Sequence, residues 1–79
     1  MTLKPLTQIE TGIYEHYKGM RYDVLYAARH SETLEEFVVY RALYGSFEVW
    51  IRPLKMFFET VVIDGKEVPR FRYISPLSK

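Results

Sequence analysis

Thr33-Leu34-Glu35-Glu36-Phe37-Val38-Val39-Tyr40-Arg41-Ala42-Leu43-Tyr44-Gly45 is the stretch on which the fold turns. Thr33 with Glu36 three residues later fits a helical capping box, and Gly45 suits a helix C-terminus, so residues 34–44 compete as a helix. Phe-Val-Val-Tyr argues the other way. β-branched and aromatic side chains lose rotamer freedom in a helix and sit well on a pleated surface. A strand is therefore expected over 37–44. Phe37, Val39 and Leu43 take one parity and Val38, Tyr40, Ala42 and Tyr44 the other, so both faces are apolar apart from Arg41. A small barrel fills its interior with one face only. The other face must then be covered by residues 1–11, by the turn at 53–58, by a ligand or by a second copy.

Upstream, Gly12-Ile13-Tyr14-Glu15-His16-Tyr17-Lys18 reads as a strand closed by a turn at Gly19. Met20 to His30 alternates with period two, long enough to bend and serve two sheets. Ser31 to Glu36 is a polar break. Downstream, Glu48 to Arg52 is a short strand stopped by Pro53, and 53–58 suits one helical turn with proline at its start. Val61-Val62-Ile63, then Asp64-Gly65, then a return over 68–74 is a hairpin signal. Pro69 cannot donate to a ladder and puts that return at an edge or a bulge. Residues 1–11 are expected to be a flexible lead-in, 12–74 a single domain and 75–79 a tail.

The chain has 79 residues, no cysteine and a net charge of +1, which leaves no disulfide framework, no thiolate metal site and no cysteine nucleophile. Hydrophobic residues at 48%, with 16% aromatic, are enough to build a core and exclude disorder. Met1 to Leu6 lacks the apolar run of a signal peptide, and no stretch approaches the roughly 18 apolar residues of a membrane span. Both observations point to the cytoplasm, where small domains do without disulfide staples. The expected fold is all-β: a small SH3-like barrel of five or six short strands with one short helical turn, closed because an open sheet leaves its edges bare.

Gly12-Ile13-Tyr14 with His16-Tyr17-Lys18-Gly19, the block 28–45, Arg52-Pro53-Leu54 with Met56-Phe57, and Val68-Pro69-Arg70-Phe71 resemble a small bacterial family, domain of unknown function (DUF) number sixteen fifty-three. The resemblance covers nearly everything from Gly12 to Ile74, with Tyr26 standing where a small or aliphatic residue is usual. It implies a bacterial, cytoplasmic, SH3-type barrel, and no activity, ligand or catalytic residue comes with it.

Chemistry-bearing residues are sparse. His16 and His30, without an i,i+4 pair or a thiol, do not make a metal site, and neither a metal nor a cofactor is expected. His30-Ser31-Glu32 contains the residue types of a hydrolase triad, but adjacent residues diverge on a strand end. Glu35 and Glu36 lie in a wet loop that would not split their pKa values.

Arginine beside aromatics is the more informative pattern: Arg52 after Val49-Trp50-Ile51, and Arg70-Phe71-Arg72-Tyr73. From Arg52 onward cations exceed anions by three, a modest excess for a nucleic-acid binder. Trp50 is expected inward and Arg52 at the rim, beside Arg29 and His30. A carboxylate of Glu32, Glu35 or Glu36, or a backbone carbonyl, would hold it there.

The sequence thus predicts a non-catalytic binding or adaptor module using Arg29, His30, Glu32, Trp50, Arg52 and Phe57. Its partner would be a protein or peptide or, with weaker support, nucleic acid, and no membrane is involved. A homo-oligomer built through strand 37–44 is the alternative, and a small enzyme the third reading.

Overall fold

The computed structural model describes residues 4–76, which form seven strands and one helical turn. In chain order these are β1 (Gly12–His16), β2 (Arg21–Arg29), β3 (Glu36–Ala42), β4 (Val49–Pro53), α1 (Leu54–Phe57), β5 (Thr60–Ile63), β6 (Lys66–Pro69) and β7 (Phe71–Ser75). The competition at 37–44 resolves to strand. Thr33 caps no helix; its hydroxyl accepts the Glu35 N–H at 3.2 Å. The polar loop is closed instead by Leu34 N–H to the His30 carbonyl (2.9 Å) and His30 N–H to the Glu35 carbonyl (2.8 Å). Side-chain hydrogen bonding of Thr has here favoured a turn over a helix start.

Five strands make one antiparallel sheet in the order β4-β3-β2-β1-β7, and β5 pairs with β6 alone. The expected Asp64-Gly65 turn is present, with both residues at positive φ (51° and 77°), as a two-residue hairpin turn of the right twist requires. The nine-residue β2 stays within one sheet rather than serving two. It bends at a register shift between Val24 and Tyr26, which sharpens the curl of the sheet.

A closed SH3-like barrel is not what the chain forms. β4 and β7 are the two edges of the main sheet and share no ladder. The physical reason lies at Pro69-Arg70, where the return run 68–74 divides in two. β6 stays with β5 in the hairpin, while β7 crosses to pair with β1. Closure requires pairing on both sides of every strand, and the chain has spent two strands elsewhere. Pro69 does end an edge strand, as its missing N–H demands.

The concave face of the sheet carries Tyr14, Tyr22, Val24, Val38, Tyr40 and Ala42, and onto it fold Phe57 of α1 and Phe71 of β7. Phe57 and Phe71 stack at 4.0 Å between centroids with 2° between planes. Tyr14 and Tyr40 meet Phe57 edge-on at 5.5 and 5.4 Å, and Tyr22 meets Phe71 edge-on at 5.6 Å.

Residues 4–11 have no regular structure but are tied down. Thr7 bonds Glu36, the Tyr14 hydroxyl donates to the Glu10 carbonyl at 2.7 Å, and Ile9 packs on the core with Leu54 and Tyr73. That packing leaves the convex face uncovered among the described residues: Tyr26 and Ile51 are 59% and 62% exposed. The expected tail falls at 75–79, of which 77–79 lie outside the described residues.

Replacing Phe57 by alanine should cost about 3–5 kcal/mol, because a fully buried ring leaves a cavity, whereas Val62→Ala at the exposed hairpin should change stability by less than about 0.5 kcal/mol. Urea unfolding of both variants checks this. Comparable losses would show that the hairpin and not the ring stack holds the fold.

Candidate binding site

The sequence-selected residues separate into two groups. Arg29 and Glu36 face each other at the open ends of β2 and β3, with Nη2 to Oε2 at 3.9 Å. Glu36 also accepts the Thr7 N–H and the Thr7 hydroxyl, both at 2.7 Å, and Arg29 Nη2 donates to the Lys4 carbonyl at 2.7 Å. The Thr7 hydrogen bonds, backbone first, hold the Glu36 carboxyl below its ordinary pKa, with Arg29 assisting. This is a latch for the N-terminal segment. His30 Nδ1 accepts the Glu32 and Thr33 N–H groups at 3.1 and 3.2 Å, so His30 organises its own loop, and the Glu32 side chain stays exposed.

Trp50, Arg52 and Phe57 belong to the concave face. Trp50 and Arg52 are two residues apart, share a face and pair with Tyr40 and Val38, both inward residues of β3. The expected opposition of a buried Trp50 and an outward Arg52 therefore fails, since strand side chains alternate with period two. Trp50 is 50% exposed because β4 is an edge, and Arg52 is half-buried. Nor does a carboxylate of the 30–36 loop hold Arg52. Its Nε donates to the Tyr40 hydroxyl at 3.4 Å, and its guanidinium carbon lies 5.6 Å from the Phe71 ring centre. Arg52 is turned across the mouth of the sheet toward β7, away from the loop. Phe57, wholly buried, supports the mouth from beneath.

Four further residues complete the mouth, none of them among the site residues expected from the sequence. His16 ends β1 beside Phe71, with ring centres 5.0 Å apart. Its pKa is lowered, first by burial and then by the charges of Arg52, Arg70 and Lys18. Its Nδ1 accepts the Lys18 N–H at 3.1 Å, so in the neutral ring Nε2 carries the proton. Arg70 holds Glu59 at 3.5 Å through Nη2, while its buried Nε has no partner among the described residues. The Tyr22 and Tyr44 hydroxyls lie 2.7 Å apart, and burial followed by that hydrogen bond pushes the Tyr22 phenol well above its usual pKa.

Beyond Tyr44, a small cleft of about 150 Å³ runs between Ala42, Gly45, Glu48 and Trp50. The mouth thus offers guanidinium and phenol donors over a floor of aromatic faces. Guanidinium and phenol donors beside aromatic faces are chemically suited to an anionic group joined to an apolar or planar one. Only the pattern of alternation, applied strictly to positions 50 and 52, would have placed Arg52 here from sequence. Arg70 lay in the arginine-aromatic run 70–73 but was not singled out as a site residue, and His16 carried no signal beyond its residue type.

An all-β domain with an open, curled sheet and a cation-lined aromatic mouth is the class these observations define. Residues 12–73 match the family DUF1653, described as a protein of unknown function, and the chain belongs to that family. A crystal structure of a DUF1653 member from Bordetella bronchiseptica is similar at 37% identity, with a TM-score of 0.80 over 90% of this chain and 94% of that one. No functionally curated protein matches. Among the described residues no helix is long and apolar enough to cross a membrane.

The lowered His16 pKa has a signed consequence. The unfolded chain takes up a proton near pH 6.5, before the folded chain does, so stability contributed by neutral His16 is present above about pH 7 and lost as pH falls through 6.5 toward the folded value. His16→Gln should flatten that part of the profile. The loss below pH 4.5, to which Glu36 contributes, should stay. Melting temperature against pH for both proteins checks this; identical slopes between pH 7 and 5.5 would remove His16 from the account.

Proposed function

We propose that this domain is a non-catalytic binding module whose concave mouth holds an acidic side chain of a protein or peptide partner. One observation carries the reading: the half-buried Arg52 guanidinium rests against Phe71 and Tyr40 with no carboxylate partner among the described residues. Burying a charge is costly, and a guanidinium already fixed by a ring and a phenol loses little freedom on meeting an anion. The charge of Arg70 acts on the same space, where it disfavours the His16 proton, and neutral His16 offers its Nε2–H. A carboxylate placed here would favour His16 protonation, so binding should tighten as pH falls from 8 to 6. A cytoplasmic setting, expected from the sequence, is compatible with that role.

Trp50 is the sole tryptophan and serves as the reporter. Its fluorescence should respond to a glutamate-rich peptide, and Arg52→Ala should weaken that binding by about tenfold or more while moving the melting temperature by only a few degrees. Arg52→Lys should rescue part of it. An oligothymidylate that binds in place of the peptide would make the partner nucleic acid and overturn this reading. A peptide response indifferent to Arg52→Ala would place the site elsewhere. An Arg52→Ala protein that unfolds would make Arg52 structural.

A further inference from the structure

The main sheet has two free edges, and they are built differently. β7 carries the exposed Arg72 and runs into Pro76, features that discourage strand addition. β4 presents Val49, Trp50 and Ile51 in succession, each roughly half exposed or more, with no charge between Glu48 and Arg52. An edge so apolar and uncharged is a template for another strand.

The hydrogen-bond parity of β4 shows which groups that template offers. The Ala42 N–H donates to the Glu48 carbonyl at 2.9 Å, and the β3–β4 register continues without a shift through Tyr40↔Trp50 to Val38↔Arg52. Hydrogen-bonded pairs alternate in an antiparallel ladder, so residues 48, 50 and 52 turn their backbone groups toward β3. Val49 and Ile51 turn theirs outward. Among the described residues those N–H and C=O groups have no partner.

Glu48-Val49-Trp50-Ile51-Arg52 is self-complementary when paired with its own copy in antiparallel sense about Trp50. Val49 then meets Ile51 of the copy as a hydrogen-bonded pair, twice over, which satisfies all four outward donors and acceptors. Glu48 meets Arg52 of the copy at a non-hydrogen-bonded pair, where side chains approach most closely. Glu48 forms no ion pair within the described chain, and Arg52 has no carboxylate. Phe47, at φ 57°, ends the run on one side, and Pro53, with no N–H to offer, ends it on the other.

We infer that the free edge of β4 is a dimerisation seam, which takes the same edge of a second copy of this chain in antiparallel register about Trp50. A guanidinium has five donors, so Arg52 can meet Glu48 of the copy and still face the mouth.

Sedimentation equilibrium of the full chain from about 5 to 500 μM should show mass rising from 9.5 kDa toward twice that value. Amide exchange should slow with concentration at Val49 and Ile51. The Trp50 amide, bonded to β3, should be protected at every concentration. Ile51→Pro deletes an outward N–H without removing a bond to β3, and Glu48→Arg sets two arginines against each other at both ends of the seam. Each should weaken association by about tenfold or more.

Adding Arg52→Glu to Glu48→Arg should restore the dimer. A chain that stays monomeric throughout the range overturns the inference. So does a dimer that survives both Ile51→Pro and Glu48→Arg, or a folded double variant that stays monomeric. Should the double variant fail to fold, Ile51→Pro decides.

Discussion

The parallel stack of Phe57 on Phe71 is the contact on which the rest of this structure depends. A five-stranded antiparallel sheet with one apolar face needs a second layer, and this chain has almost nothing to build one from. Among the described residues its one helix is four residues long, and its hairpin pairs only with itself. The sheet therefore covers its own concave face by curling, until a ring from β7 lies against a ring from α1. Four tyrosines in the buried set and around it then stand edge-on to that pair or to each other. Rings of this size bury roughly 150–250 Å² each, which lets a short chain assemble a core from few residues.

Curling without closing has a consequence at the mouth. Where a barrel would have a ladder between β4 and β7, this domain has Arg52 reaching from one edge to the face of Phe71 on the other. A side-chain contact there leaves donors free, whereas a ladder would consume the backbone groups of both edges. The same geometry makes the neighbouring charges matter. Arg52 and Arg70 disfavour the His16 proton, and Arg52 opposes the upward shift of the Tyr22 phenol. The open sheet thus concentrates positive potential over an aromatic floor, in a protein whose net charge is only +1.

Local chemistry made most of the elements legible. β-branched and aromatic residues declared β3, Asp64-Gly65 declared the hairpin, and Pro53 declared the helical turn that became Leu54–Phe57. Long-range pairing was not legible. Nothing in Val68 to Ile74 says that Pro69-Arg70 will split the run between two sheets, since the split is decided by which partner strand each half finds. The candidate site was legible only in part. Arg52 stood out beside aromatic residues, but its contact is with Phe71, nineteen positions away, and not with the nearby glutamates. Arg29, His30 and Glu32 are attractive residue types whose observed hydrogen bonds are spent on the loop and the N-terminal segment.

The convex face completes the physical picture. Val39 and Ile51 pair across β3 and β4, with Tyr26 beside Val39 on β2, so apolar side chains run from the middle of the sheet to its free edge. The opposite end of the same face is ionic. Arg72 bonds Glu15 at 2.7 Å, and Arg21 approaches that carboxylate at 3.6 Å. Such exposed pairs contribute little to stability, but they keep that end hydrated and unattractive to another strand. The polarity of the convex face therefore falls toward β4, the edge whose outward backbone groups are unpaired. An apolar gradient ending at unsatisfied hydrogen-bonding groups makes association there favourable for two reasons at once, apolar area removed from water and backbone groups satisfied. The ionic end can offer neither.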